Sequence, residues 1–403
     1  MAAGPVGELT RPTLPECDPP LVASLRVVMQ WREGTVEQVR GQWPGAVEYA
    51  VRLKPAGAAA AEVAGDDVVR ALAYTALVGE PQVGDRVLLN ASALLRGLGT
   101  GGLAFIVAAP DRLPADPVGS PGHIVKARYT PQQQMFMAVD EQDSPHHDVM
   151  TGPLATAGDL QGMPVVVADL HSALPAVLAG IRLDRPQARV VYLMTDGGAL
   201  PLAFSRTVAT LTAHGWLAGT VTVGQAYGGE HEAVTLHSGL LAARHVLGAD
   251  LAIVIQGPGN VGTGTAWGYT GVAAGEALNA VGTLGGRGVA ALRVSDADQR
   301  DRHRGISHHS TTAYGRVCLV AADVPLPTDP SEFGLLVADQ AHALVRNAQG
   351  ALRVRDVDAD GLDAALRAVP VTLSTMGRGL DEDHAAFLYS AAAGRHAARL
   401  LES

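Results

Sequence analysis

Several polar and glycine-rich phrases in the second half of the chain hold residue types that could do chemistry. They are Asp169-Leu170-His171-Ser172, Thr195-Asp196-Gly197-Gly198, Gly224-Gln225-Ala226-Tyr227-Gly228-Gly229-Glu230, and Gln256-Gly257-Pro258-Gly259-Asn260-Val261-Gly262-Thr263-Gly264-Thr265. Further along come Ser295-Asp296-Ala297-Asp298, Arg302-His303-Arg304-Gly305-Ile306-Ser307-His308-His309, and Met376-Gly377-Arg378-Gly379. Neutral histidines beside aspartates suit general acid–base work near neutral pH, which makes Asp169, His171, His308 and His309 the candidate catalytic set. Together with Asp296, the same residues would suit Zn²⁺, Mn²⁺ or Fe²⁺. Acid–base chemistry ranks ahead of metal because no ligand-spacing rule is met: His231-Glu232 and His237 are spaced wrongly for one helix face.

The glycine-rich phrase contains G-x-G-x-x-G at Gly257, Gly259 and Gly262, after an apolar run and before a helical pattern. Two features argue against a dinucleotide. The motif is not in the first strand–helix unit, and Asp296 lies 34 positions after Gly262, against an expected spacing of about 20. An anion cradle fits better. Backbone N–H groups leading into a helix suit phosphate or carboxylate, Thr263 and Thr265 add hydroxyl donors, and Arg302, Arg304 or Arg378 would assist. Asn260, Asp196 and Gln225 complete the candidate ligand-binding set. Some of these residues also have plain structural explanations. Asp196 suits a helix cap, His171 could cap a helix start, and His245 suits a helix C-terminus. Cys318 reads as core, and His214, His342 and His396 as surface. A second His-rich phrase, Ser144-Pro145-His146-His147, has no assigned role.

The elements that must position these residues follow from patterning. The chain has 403 residues, a prior for two or three domains. With 47% hydrophobic and 17% charged residues it reads as globular, and its net charge of −10 leaves no global basic footprint for nucleic acid or anionic membrane. Two cysteines exclude a disulfide framework or a tetrathiolate zinc site and suit a reducing cytosol. No secretory leader and no membrane span is expected. There is no G-x-x-x-x-G-K-[ST] loop and no G-x-S-x-G elbow, and only Lys54 and Lys126 could form a Schiff base.

Residues 1–24 read as a disordered tail. Residues 25–110 read as a small β-barrel or sandwich of five or six strands, from runs such as VEYAVRL, VVRALAYTALV, DRVLLN and LAFIVAA punctuated by Gly and Pro. Residues 111–158 read as a Pro-rich linker and a hairpin, HIVKARYT and QMFMAVDE. Residues 159–403 read as an α/β domain. There MPVVVAD, RVVYLMT, GTVTVGQ and DLAIVIQ alternate with amphipathic helical stretches; VAALRVS, GRVCLVAA and VTLST read as further strands, and 381–401 as a closing helix. This predicts a doubly wound, mainly parallel sheet with helices on both faces, and ligands in such sheets bind beyond the carboxyl ends of the strands. Nearly all the polar phrases follow such ends.

In this order, SPHH, DLHS, TDGGALPLAFSR, GQAYGGEHEAV, GPGNVGTGT, RHRGISHHS and STMGRGL make the chain similar to the bacterial domain-of-unknown-function 3866 family, over roughly residues 26–395. The resemblance implies a bacterial cytoplasmic protein whose β-rich and α/β parts occur together. It brings no established activity and no site residues to carry over. The residues themselves suggest an enzyme acting on a small anionic metabolite, such as a phosphorylated one, with room for a homo-oligomer. The alternatives are a non-catalytic nucleotide or metabolite sensor and an assembly protein.

Overall fold

The computed structural model describes residues 29–55, 68–97, 101–116 and 122–402. The expected tail, Cys17 and part of the Pro-rich link lie outside the described residues. Five strands, β1 (Trp31–Trp43), β2 (Ala46–Leu53), β3 (Val68–Tyr74), β4 (Arg86–Asn90) and β5 (Ala104–Ala108), close a barrel in the order β1-β2-β3-β5-β4. Alternate side chains point inward, so Val36, Tyr49, Val51, Val87, Leu89 and Ile106 build a core within the barrel. Single-turn helices α1 (Thr75–Val78) and α2 (Ser92–Leu95) interrupt the barrel connections. The run VVRALAYTALV is therefore not one strand: it leaves the sheet at Tyr74. Gly45, at φ 79°, makes the β1–β2 turn that rests on the α/β part. Beside it Trp43 Nε1 donates to the Ala203 carbonyl (2.6 Å), and Arg206 stacks on the Trp43 ring and pairs with Glu48.

The hairpin β6 (Ile124–Lys126) and β7 (Gln134–Phe136) forms a two-stranded sheet of its own. Lys126 anchors it. This fully buried ammonium donates to Ala226 O (2.6 Å) and Glu232 Oε2 (2.8 Å) at the edge of the main sheet. Two further turns, α3 (His147–Met150) and α4 (Pro153–Thr156), lead into that sheet.

The main sheet has eight parallel strands in the order β11-β10-β9-β12-β8-β13-β16-β17. They are β8 (Pro164–Ala168), β9 (Val190–Thr195), β10 (Gly219–Val223), β11 (His231–Ala233), β12 (Leu251–Gln256), β13 (Arg287–Ala290), β16 (Ala322–Pro327) and β17 (Leu352–Val357). Between β13 and β16 a short ribbon intervenes, β14 (Val294–Ser295) against β15 (Gly305–Ile306). The central strands β8, β9 and β12 are apolar runs because helices cover both faces. Helices α5 (Leu174–Asp184) and α6 (Arg206–Ala213) pack on one face. On the other lie α7 (Leu236–His245) and α8 (Ala273–Thr283), followed by α9 (His308–Thr312) and α10 (Glu332–Arg346). Helix α11 (Leu362–Arg367) and the closing helix α12 (His384–Arg399) pack against α5.

Three strand expectations are corrected. VAALRVS breaks after Ala290, because residues 294–295 turn back to pair with β15. GRVCLVAA is mostly not extended: residues 313–317 continue α9 as a wide helical turn, and the strand begins only at Ala322. Cys318 is buried as expected, but at the end of that turn. VTLST contributes only β18 (Ser374–Thr375), paired with β19 (Arg378–Gly379) outside the main sheet. The edge position is taken by β17, whose charged LRVRDV pattern suits a half-exposed strand. His396 is half-buried and lies 2.9 Å from Asp323 Oδ2, not free on the surface. No helix among the described residues is long and apolar enough to cross a membrane.

Helices α5 and α12 touch backbone to backbone. A Cβ on Gly180 would fall 1.9 Å from Ala391 O, and one on Gly394 would fall 1.9 Å from Val177 O. Gly394→Ala should therefore force the helices apart and cost at least the roughly 1–3 kcal/mol of ordinary overpacking. Urea unfolding of the full chain would show it, while an exposed control such as Ala213→Ser should leave the midpoint unchanged.

Candidate functional site

The helix after β8 lies on one face of the sheet and the helix after β12 on the other. A crevice opens where adjacent connections diverge in this way. Backbone groups released there are met by buried side chains. Tyr314 Oη lies 2.9 Å from Val167 O and 3.1 Å from Ala291 O, where β8 and β13 part. Tyr192 Oη donates to Ile255 O (3.2 Å), and Gln256 Nε2 to Asp169 O (2.8 Å).

The resulting cleft has a volume of about 420 Å³. Arg293, Arg300, Arg302, His171, His303 and His309 line it, with the Pro258–Gly264 loop opposite, and no carboxylate lines it among the described residues. Arg300, Arg302 and His303 ride on the β14–β15 excursion. Arg300 is held by Asp298 (2.7 Å), and the guanidinium keeps that buried carboxyl well below the usual range. Arg302 makes no hydrogen bond or ion pair among the described residues and approaches Gly264. Arg293 Nη1 donates to His309 Nδ1 (3.1 Å).

The imidazoles cluster. The rings of His303, His308 and His309 have centroids 4.4 to 5.0 Å apart. Ser307 organises them: its Oγ accepts from His309 N, capping α9, and lies 2.8 Å from His303 Nδ1. Tyr269 stacks flat on His309 at 3.8 Å. Burial, reinforced by Arg293, pushes His303 down to about 4 and His309 to about 3, and burial and Arg302 lower His308. All three are neutral at pH 7. Asp169 is only 3% exposed and its Oδ2 has no hydrogen bond; burial raises its pKa. That oxygen lies 3.8 Å from His309 Nδ1, which with a neutral ring is neither an ion pair nor a hydrogen bond.

The structure thus brings Asp169, His309 and His308 together, with His171 on the same cleft. His171 is differently engaged. Its Nε2 is 2.7 Å from Ser205 Oγ and its Nδ1 3.1 Å from Tyr192 Oη, so neither nitrogen is free for a metal or a substrate. Asp296 is exposed and interacts with Asp383 and His384, away from the histidine cluster. Asp196 caps no helix: its carboxylate accepts from Gln225 N (2.9 Å), tying the ends of β9 and β10 together. Gln225 in turn receives Ala127 N of the hairpin, so neither residue faces the cleft. Arg378 is committed to Asp383 (2.8 Å), and Arg304 points to solvent.

The glycine loop also differs from expectation. It does not open a helix: Gly262 pairs with Tyr269, a 3-10 turn follows, and α8 starts only at Ala273. Gly257 is a packing residue, since a Cβ there would fall 2.2 Å from Ala199 O. Thr263 and Thr265 bond each other (3.0 Å) and Gly268. Asn260 holds Thr270 Oγ1 (2.9 Å). Gly259 and Gly264 are exposed on the cleft wall. Ser144 and His147 tie their own turn together, and His146 packs on His231 at the far edge of the sheet.

Sequence reasoning missed His303, Arg293, Arg300 and Tyr269. It also missed Ser205, which caps α6 and lines a second, mostly apolar cavity of about 440 Å³ between barrel and sheet. Only the R-H-R-x-x-x-H-H density of residues 302–309 carried any signal for them.

Fold and site together define an α/β protein with a basic, histidine-rich cleft at a sheet switch point. Residues 70–394 match the family profile described as "Protein of unknown function (DUF3866)", and the chain belongs to that family. No curated protein and no solved structure matches it.

Burial holds His171 at about 4 in the folded chain, against 6.5 when unfolded. The unfolded chain therefore binds more protons between these values, so stability is complete above about pH 6.5 and lost as pH falls towards 4. The difference is worth up to about 3 kcal/mol. Urea midpoints across pH 4.5–7.5 should show a shallower dependence for His171→Gln than for wild type. Parallel curves would assign the loss to other groups.

Proposed function

We propose that the cleft binds a small oxyanion-bearing metabolite, phosphorylated or carboxylated, and that the chain is an enzyme acting on it through the neutral imidazoles beside Asp169. The observation that carries this reading is the lining: three arginines and three histidines, without a carboxylate, in a chain of net charge −10. Concentrating positive charge against the sign of the whole molecule builds a local field for an anion. Arg302 supplies an uncommitted guanidinium, and Arg293, bonded to His309, lines the cleft beside it. A neutral imidazole such as His303 on the cleft wall is in the form that accepts a proton, and the buried Asp169 carboxyl lies 3.8 Å from His309 Nδ1.

Thermal-shift and calorimetric titrations with inorganic phosphate, a phosphorylated sugar and common nucleotides test the reading. A stabilising shift that weakens with added salt is expected. Arg302→Ala should weaken binding roughly tenfold, the worth of one charge-assisted hydrogen bond, and leave the melting temperature of the free protein unchanged. Gly259 sits at φ 93° with open space where a Cβ would go. Gly259→Val should distort the exposed loop and weaken binding more than it lowers the melting temperature. If no anion shifts wild type, or the valine simply unfolds the chain, the reading fails.

A further inference from the structure

We propose that His303, His308 and His309 form a three-imidazole site for a divalent transition ion such as Zn²⁺, set in the wall of the anion cleft. One potential ligand atom from each of the three lies within 4.8 Å of the others. Nitrogens around a tetrahedral ion with bonds of about 2.0–2.1 Å stand roughly 3.3 Å apart, so small ring rotations would close the set.

Each ring has a nitrogen to offer. His308 Nε2 is buried and has no hydrogen-bond partner. His303 has Nδ1 against Ser307 Oγ, which leaves Nε2 as its ligand atom and gives the Nδ1–H a fixed acceptor. His309 needs one change. Arg293 now donates to its Nδ1, whereas a metal on the other nitrogen requires the Nδ1–H tautomer. Asp169 Oδ2, unbonded and 3.8 Å away, is the acceptor that tautomer needs. Carboxylate–histidine–metal relays of this kind orient metal ligands generally. Asp169 is thus a positioning residue, and its buried, unsatisfied oxygen gains a partner when the ion binds. The two neighbours in sequence, His308 and His309, start a helix that the Ser307 hydroxyl caps at His309 N.

Arg293, Arg300 and Arg302 oppose a bare cation here. An oxyanion lying between the ion and the guanidiniums removes that opposition, so metal and anion should each tighten the other by the same factor. Three protein ligands also leave a coordination position open to water or to the oxyanion, as in catalytic zinc sites. The site stands on its own geometry; only the coupling rests on the proposed anion reading.

The test uses the full chain stripped with chelator. Zn²⁺ titration with elemental analysis should give one ion per chain, and Co²⁺ should give the visible spectrum of a nitrogen-ligated ion. His303→Ala and His308→Ala should each weaken Zn²⁺ binding at least about tenfold, and Asp169→Asn by roughly 10- to 100-fold. The exposed His214→Ala should change nothing. Should the alanine variants fail to fold, the wild-type stoichiometry and Co²⁺ spectrum still decide. Zn²⁺ affinity measured with and without inorganic phosphate should differ severalfold. Unchanged Zn²⁺ binding in both histidine variants, or no ion bound by wild type, overturns the metal site. Histidine-dependent Zn²⁺ binding with no response to phosphate keeps the site and overturns the coupling. Phosphate binding to the metal-free chain without any Zn²⁺ binding leaves the anion reading standing alone.

Discussion

The need to satisfy backbone hydrogen bonds where a parallel sheet opens governs the whole site. At the carboxyl end the β8–β13 ladder closes with Ala291 N donating to Val167 O (2.9 Å), and the Ala291 carbonyl lies beyond the last paired residue, Ala290. Each unpaired buried carbonyl would cost on the order of 1–3 kcal/mol. Tyr314, reaching in from the helical turn after α9, covers the Ala291 carbonyl and adds a second bond to Val167 O. Tyr192 and Gln256 do the same for Ile255 and Asp169. Buried polar side chains thus close the crevice from beneath. The turn that carries Tyr314 also continues from His308 and His309, so satisfying the strand ends places the histidines at the cleft.

The electrostatics follow from that placement. Rings packed under Tyr269 and beside guanidiniums cannot hold protons at neutral pH, because burial and like charge both disfavour the imidazolium. A carboxylate in direct contact would reverse this. Asp298 is instead drawn off by Arg300, and Asp383 by Arg378 and Ser295. Asp169 faces His309 from below with its charge discouraged by burial. The acids near the cleft are thus either paired elsewhere or buried, which leaves its lining without a carboxylate among the described residues.

The central strands and their helices were legible because a strand buried on both faces must be an apolar run, as VVVA, VVYLM and LAIVI show. The outer strands hid for the opposite reason. β16 contains Pro325 and Pro327, which read as strand breakers, yet β13 pairs only with Ala322 and Asp323, so neither proline sits opposite it. GRVCLVAA misled because its apolar residues serve a helical turn packed on α8, and periodicity over a few residues cannot separate the two. At the site, Asp169, His308 and His309 were visible because they follow strand-like runs. His303 and Arg293 were not, because what unites them with the others is an antiparallel excursion of the chain. Asp196, Gln225 and Arg378 looked like ligand residues from position alone, but each has a partner distant in sequence or in a turn that no spacing reveals.

Ser307 shows how few contacts set the geometry of the cluster. It is fully buried, and its N–H donates to Arg293 O (2.9 Å), which fixes the chain leaving β13 against the start of α9. Its hydroxyl caps that helix at His309 N and meets His303 Nδ1. One side chain therefore sets the relative positions of three segments: the end of β13 with Arg293, the β14–β15 excursion with His303, and α9 with His308 and His309. Arg293 N in turn donates to Ser310 Oγ (2.9 Å), closing the same loop from the other side. Because these bonds are short, buried and mutually dependent, a shift of the excursion must move His303 relative to His309. Arg293, His303 and His309 are thus parts of one hydrogen-bonded unit, so an anion proposed at Arg293 and an ion proposed at the imidazoles would be coupled through it.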